Sequence, residues 1–213
     1  MNSIVILCNG LFPTEPYPLY LLDSAEGVVC CDGALVKFLE HAPERMPLAV
    51  VGDLDSLPEE LRIRYSHILF PVAEQDDNDQ TKALRWVLQN HPEVSEIVFL
   101  GATGLREDHT IGNLGLLMDY PRQFDLGDRK LSMVSDFGTA FVVTDSGDLH
   151  LGEGRRISLF SADNSLRITS EGLEWPLDQV VFDAWWKATL NRTSAPIVSL
   201  HFNHPSALLV MVD

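Results

Sequence analysis

Acidic side chains crowd two short stretches of this chain, each directly after a run of apolar residues. Leu48 to Val51 leads into Gly52-Asp53-Leu54-Asp55-Ser56, and Ile68 to Val72 is followed by Glu74-Gln75-Asp76-Asp77-Asn78-Asp79. From Val51 through Gln80, eight acids at positions 53, 55, 59, 60, 74, 76, 77 and 79 face only Arg62 and Arg64, a local charge of −6. If the two apolar runs are neighbouring strands, these carboxylates converge on one crevice, where their mutual repulsion is costly without a bound cation. Oxygen donors with no Cys or His among them favour a hard ion, and Mg²⁺ is the usual choice where phosphate is also bound. A D-x-D directly after a strand sets Asp53 and Asp55 on the same side of an extended chain. Asp79 is as well suited to capping the helix that starts at Gln80 as to holding a metal, and Asp76 and Asp77 suit a turn. Neither stretch has the sixth-position glycine of an EF-hand.

A second signal is Gly101-Ala102-Thr103-Gly104-Leu105-Arg106-Glu107-Asp108-His109, again between a strand-like run and a helix-like one. Glycines at such a turn let backbone N–H groups approach an anion at a helix N-terminus, and Arg106 is suited to phosphate oxygens. The pattern is neither GxGxxG nor GxxxxGK[ST], and Asp108 is equally a helix cap. Shorter turns of the same kind follow two other apolar runs, at Cys31-Asp32-Gly33-Ala34 and Asn9-Gly10.

The elements that must carry these turns are readable from hydrophobic patterning. Ile4 to Cys8, Val28 to Cys31, Leu48 to Val51, Ile68 to Val72 and Ile97 to Leu100 read as buried strands of a parallel sheet. Leu35, Val36 and Leu39 share a helix face, as do Ala83, Leu84, Val87 and Leu88 after Asp79, and Ile111, Leu114, Leu117 and Met118 after Asp108. This alternation predicts an open parallel α/β domain over residues 1–126, with ligands beyond the carboxyl ends of the strands. From about residue 127 the runs become short and rich in β-formers, at Leu131 to Val134, Ala140 to Thr144, Arg156 to Phe160, Leu166 to Thr169, Ile197 to Phe202 and Ala207 to Val212. They predict a C-terminal antiparallel β-sandwich over 127–213.

Composition limits the partners. Among 213 residues, 31 acids outnumber 15 bases, giving a charge of −16, while 46% of residues are hydrophobic. The chain is therefore a folded acidic protein, and polymeric nucleic acid is a poor partner because its phosphates would be repelled. No apolar run approaches the ~20 residues of a membrane-spanning helix, so no membrane role is expected. Cys8, Cys30 and Cys31 fit neither a disulfide framework nor a CxxC site, and they predict small buried residues in the cytoplasm. Trp86, Trp185 and Trp186 are expected in the core.

Taken together, Asp32-Gly33-Ala34, Gly52-Asp53-Leu54-Asp55-Ser56, Gln75-Asp76-Asp77-Asn78-Asp79 with Lys82, and Gly101 to Asn113 resemble the signatures of the thiamine pyrophosphokinases, in the family's order and spacing. The resemblance continues through Gly172-Leu173-Glu174-Trp175-Pro176-Leu177 to His204-Pro205. Three positions depart from it. Leu105 stands where the family usually has Gly, and Asn78 where it usually has Thr. Leu190, in Thr189-Leu190-Asn191, stands at a serine that helps hold the pyrimidine of thiamine.

The resemblance implies a Mg²⁺-dependent transfer of pyrophosphate from ATP to the hydroxyl of thiamine, giving thiamine diphosphate and AMP. It implies that Asp53, Asp55 and Asp79 hold the metal, and that Lys82, Arg106 and the turns at Gly101 and Gly104 meet the phosphates. Asp32, Gly33, Ser56, Asp76 and Asn113 would shape the ATP site, Asp108 would orient Arg106 or act on the thiamine hydroxyl, and Trp175 and Asn191 would receive thiamine. A homodimer also follows from the resemblance. Two other readings use the same carboxylates: a Mg²⁺-dependent nucleotide hydrolase, and a sensor that binds thiamine or nucleotide without turnover.

Overall fold

In the computed structural model, which describes residues 2–74 and 76–213, the apolar runs of the N-terminal part become strands; four are almost wholly shielded from water, whereas the run Ile68 to Val72, expected to be buried, yields an edge strand with Phe70 39% exposed. Gln75 of the acidic motif lies outside the described residues. The strands are β1 (Ser3–Leu7), β2 (Gly27–Cys31), β3 (Ala49–Gly52), β4 (Leu69–Pro71), β5 (Glu96–Leu100) and β6 (Lys130–Ser135). All pair in parallel, in the order β4-β3-β2-β1-β5-β6. Val5 of β1 lies opposite Val28 on one side and Val98 on the other, which is why these strands read as continuous apolar runs rather than as alternation.

The intervening helices are α1 (Pro16–Ser24), α2 (Ala34–His41), α3 (Glu59–Arg64), α4 (Asp79–Asn90) and α5 (Glu107–Gln123). Leu22 from α1, Leu35 and Phe38 from α2, and Val5, Val28, Val50 and Val98 from the sheet share one core. Pro16 opens α1 where its missing N–H is harmless. The cap of that helix comes from far away in sequence: the Asp136 carboxylate accepts from Thr14 N, Thr14 Oγ1 and Glu15 N at 2.9, 2.6 and 3.1 Å.

Strand order reverses at β1, which has β2 on one side and β5 on the other. At that switch point the two strand-end loops are stitched together, Cys8 N donating to Leu100 O, Gly10 N to Gly101 O and Leu11 N to Thr103 O. Gly101, at φ +62°, leaves no room for a side chain, since a Cβ there would lie 2.6 Å from Cys8 O.

The chain divides into two units. The first runs to Asn113 and includes Gly127–Asp136, and the second comprises Leu114–Leu126 and Phe137–Asp213. The run Leu131 to Val134, expected among the antiparallel strands, is β6 and pairs in parallel with β5. A short half-buried strand carries the same pattern in either setting, and only its partner decides.

The second unit contains β7 (Gly138–Val143), β8 (Gly147–His150), β9 (Arg156–Phe160), β10 (Arg167–Glu171), β11 (Val180–Val181), β12 (Asn191–Arg192), β13 (Ile197–Phe202) and β14 (Leu208–Val212). Within it β12-β9-β14-β7 and β11-β10-β13-β8 are antiparallel sheets. Ile157, Leu159, Leu208 and Val210 of the first pack with Ile168, Val198 and Leu200 of the second in one core, as a sandwich requires. Trp185 and Trp186, expected inside, are instead 64% and 73% exposed. They sit in the irregular stretch between β11 and β12, where no strand alternation turns either ring inward. Cys8, Cys30 and Cys31 are buried free thiols, as expected. No helix among the described residues is long and apolar enough to cross a membrane.

Candidate active site

Three carboxylates meet at the ends of β2 and β3. One oxygen from each of Asp32, Asp53 and Asp55 lies within 4.8 Å of the others. Asp53 and Asp55 do not come together by strand alternation, because β3 ends at Gly52 and Leu54 has φ +64°. The left-handed turn drives the Leu54 side chain into the core and leaves its two acidic neighbours at the surface. Asp55 N donates back to Asp53 Oδ1 at 3.3 Å, and Ser56 Oγ donates to Asp55 Oδ1 at 3.0 Å.

Asp32, expected at the nucleotide, thus joins the metal-competent acids. The missed signal was the adjacency of β2 and β3, which brings together residues far apart in sequence. Asp32 is only 4% exposed and adopts φ +41°, a strained conformation for a residue other than glycine. Its Oδ2 accepts from Ser56 N at 3.2 Å, while Oδ1 is buried with no hydrogen-bond partner among the described residues. An orphaned carboxylate oxygen in a buried setting is costly, and a cation removes that cost.

Asp79 begins α4 but does not cap it; Asn78 does, its Oδ1 accepting from Thr81 N at 3.0 Å. The Asp79 side chain reaches back over Gly52, where a Cβ would stand 3.1 Å from Asp79 Oδ1 and 3.1 Å from Asp32 Cβ. Burial pushes its pKa up to about 6, Lys82 works against that rise, and the negative charges of Asp32, Asp53 and Asp55 add to it. Lys82, expected at the phosphates, is turned inward with its side chain 3% exposed. Its Nζ donates to Val72 O at 3.1 Å and lies 3.8 Å from Asp79 Oδ1.

The remaining acids of this stretch have other occupations. Glu74 Oε2 accepts from Asp76 N and Asp77 N at 2.9 and 3.2 Å, and Arg85 on α4 pairs with Asp77 and stands 3.9 Å from Glu74. Asp76 is exposed. Glu59 and Glu60 lie in the first turn of α3 with Arg62 and Arg64 in its last, the arrangement its dipole favours. The local excess of charge therefore resolves into a structural part and a smaller unsatisfied one.

At the end of β5 the turn has the glycines it needs, Gly104 at φ +94°. Arg106 is exposed and forked onto Asp108, with Nε 3.1 Å from Oδ1. That pairing and the bond from His109 N hold Asp108 down at about 2. Asn113 is buried; its Nδ2 donates to Ala102 O at 2.6 Å and its Oδ1 accepts from Asn78 Nδ2 at 2.8 Å. It thereby ties the β5 turn to the start of α4. Gly33 packs against Asn9, where a Cβ would lie 2.7 Å from Asn9 Nδ2.

In the second unit Trp175 is 57% exposed. Asn191 is buried and clamps the Trp175 backbone: its Nδ2 donates to Trp175 O at 2.7 Å and its Oδ1 accepts from Trp175 N at 3.2 Å and Arg192 N at 2.8 Å. Leu190 is 85% exposed and left-handed at φ +58°.

Comparison with known proteins identifies the family and the fold. The family model described as "Thiamin pyrophosphokinase, catalytic domain" matches residues 19–126, and that of its substrate-binding domain matches residues 138–209. A rice protein named thiamine pyrophosphokinase 1 is 28% identical over 201 residues, 82% of this chain and 73% of that one. The fold matches that of thiamine pyrophosphokinase from Bacillus subtilis at a TM-score of 0.76 and 22% identity, over 99% of this chain and 97% of the other. Thiamin pyrophosphokinase from Candida albicans gives 0.76 at 16% identity, over 100% of this chain and 89% of its own. The chain belongs to the thiamin pyrophosphokinase family.

Proposed function

We propose that this protein transfers the pyrophosphoryl group of ATP to the hydroxyl of thiamine with Mg²⁺, releasing AMP and thiamine diphosphate. The observation that carries the reading is the strand-end cluster of Asp32, Asp53 and Asp55 with its orphaned buried oxygen, in a chain of this family. Its all-oxygen donor set fits Mg²⁺, with Asp79 beside it. When bound, the ion supplies the positive charge that lets an acidic protein hold a triphosphate.

In the reaction the thiamine hydroxyl oxygen bonds to the β-phosphorus, and the bond from that phosphorus to the oxygen bridging it to the α-phosphorus breaks. The hydroxyl proton leaves to solvent or phosphate, and a loose transition state demands little basic assistance. What the chain's own residues contribute is alignment. Asp32, Asp53 and Asp55, with Asp79 beside them, are the metal-holding set. Arg106, oriented by Asp108, meets phosphate oxygens with the turn at Gly101 and Gly104. Gly33, Ser56, Asp76 and Asn113 form the nucleotide side, with Asn113 acting through the loops it joins. Trp175 offers an aromatic face to the cationic, aromatic thiamine, and Asn191 fixes that face in place.

A homodimer suits the exposed Trp185, Trp186 and Leu190 of the second unit. Three buried free thiols suit a reducing cytoplasm. The test is incubation of the purified protein with ATP and Mg²⁺, with and without thiamine. Thiamine-dependent AMP together with thiamine diphosphate is expected, and AMP or phosphate formed equally without thiamine would overturn the reading.

A further inference from the structure

Lys82 sits in an unusual place for a phosphate ligand. Its side chain is 3% exposed against 33% for Asp79, so its ammonium cannot meet a ligand arriving from solvent without leaving its present partners. Burying an ammonium is expensive unless it is paired and hydrogen-bonded, so what Lys82 faces states its job. Among the described residues it faces the Val72 carbonyl at 3.1 Å and Asp79 Oδ1 at 3.8 Å.

Both contacts lead to the carboxylate cluster. Val72 N donates to Gly52 O at 2.8 Å, so the segment that receives the Lys82 bond is itself fastened to the residue before Asp53. Asp79, three residues before Lys82 on α4, lies in the field of Asp32, Asp53 and Asp55. A single ammonium therefore links α4 to the segment just past β4 and stands beside Asp79, the acid that the charges of Asp32, Asp53 and Asp55 reach. The positive charge of Lys82 opposes the rise that these acids impose on Asp79.

We propose that Lys82 is the built-in counter-ion of the metal site, a positioning residue that fixes Asp79 relative to the Asp53-Asp55 loop and offsets the cluster's charge before metal arrives, and that it makes no contact with the triphosphate. This rests on the assignment of the cluster to Mg²⁺. A phosphate ligand would act on ATP affinity, whereas a counter-ion acts on the metal-free protein and on turnover.

The experiment compares wild type, Lys82→Met and the double variant Lys82→Met with Asp79→Asn. Each is melted in EDTA and again with increasing MgCl₂, without nucleotide, and kcat and the KM for ATP are then measured for wild type and Lys82→Met. In EDTA Lys82→Met melts lower than wild type, and MgCl₂ raises it by more than it raises wild type. Adding Asp79→Asn restores the EDTA melting point, because it removes the uncompensated carboxylate. Turnover of Lys82→Met falls ~10-fold or more while the KM for ATP stays within about threefold, as expected when geometry rather than binding is lost.

A KM for ATP raised ~10-fold or more with an unchanged Mg²⁺ response would overturn the proposal in favour of a phosphate contact. Failure of Asp79→Asn to restore stability would overturn it in favour of simple packing, and this arm holds even if the single variant does not fold. Wild-type protein indifferent to MgCl₂ would sink the metal assignment, and the EDTA comparison would still decide the role of Lys82.

Discussion

Asp79 in the first unit is pushed by burial to a pKa of about 6, whereas Asp163 in the second is held at about 2 by the Ser165 hydroxyl and further bonds. Asp163 accepts from Ser165 Oγ at 2.6 Å, Ser165 N at 2.8 Å and Ser206 Oγ at 2.9 Å, and His204 stands 3.7 Å away. Asp213 is likewise lowered, Arg156 Nε at 2.7 Å and Arg155 Nε at 3.1 Å saturating it. These carboxylates are finished: each lone pair that matters is used inside the fold. At the strand ends, by contrast, Asp32 keeps an orphaned oxygen and Asp79 has more acids near it than bases. Asp136 belongs to the first unit but caps α1 and is lowered like the acids of the second, so the division follows role rather than location. In an acidic protein, the sites that await a ligand are the carboxylates that the fold leaves unsatisfied.

The sharpest way to break this contrast is to neutralise the unsatisfied acids. Asp53→Asn and Asp79→Asn should each lower turnover by ~10²-fold or more, while melting in EDTA near pH 7.5 is not lowered. Near-normal turnover in both would remove them from the metal site. The same exchange at Asp213 should leave turnover alone and lower stability instead. Activity loss and stability loss are thus expected to fall on different acids.

A smaller effect is expected at the aromatic wall. Trp175→Ala should raise the thiamine KM ~10-fold with the KM for ATP unchanged, as loss of a stacked cation–π contact implies. Asn191→Ala should do the same and also destabilise by about 1–2 kcal/mol, because it strands the N–H and C=O of Trp175 that its amide now satisfies. An unchanged thiamine KM in both would return Trp175 to ordinary surface.

How far the sequence carried the reading depends on the kind of contact. The parallel strands were readable because burial on both faces writes itself as an unbroken apolar run, as at Gly27–Cys31. The chemistry of Asp53 and Asp55 was readable from their types, but the cause of their convergence was not, since a leucine at φ +64° is invisible in a D-x-D pattern. The place of Asp32 among them depends on β2 lying beside β3, a pairing that no local window contains. Helix α1 has no counterpart among the elements read from patterning, and the Asp136 carboxylate that holds its start lies more than a hundred residues away. Lys82 and Asn191 were picked out only through the resemblance, and both turn inward; only the direction of a side chain separates a ligand from the group that holds it.

The least effect, and the most direct measure of the contrast, is its pH dependence in metal-free protein. The folded pKa of Asp79, about 6, lies above its ordinary value, so the folded state binds the extra proton between the two. Stability therefore rises as pH falls from neutrality through about 6 and levels off near the ordinary carboxylate range of roughly 4. Asp163 runs the other way: its folded pKa, about 2, lies below the ordinary one, so its contribution is complete above about 4 and is lost as pH falls toward 2. Other carboxylates titrate in the same range, so each group is isolated by difference from its own variant. In EDTA, wild type minus Asp79→Asn should change between pH 7.5 and about 4 and be flat below. Wild type minus Asp163→Asn should be flat over that window, at about 0.5–1 kcal/mol after allowance for solvent screening, and vanish by pH 2. If both differences moved over the same pH range, the two aspartates would not be distinct kinds of carboxylate, and satisfaction within the fold would lose its value as a guide to the site.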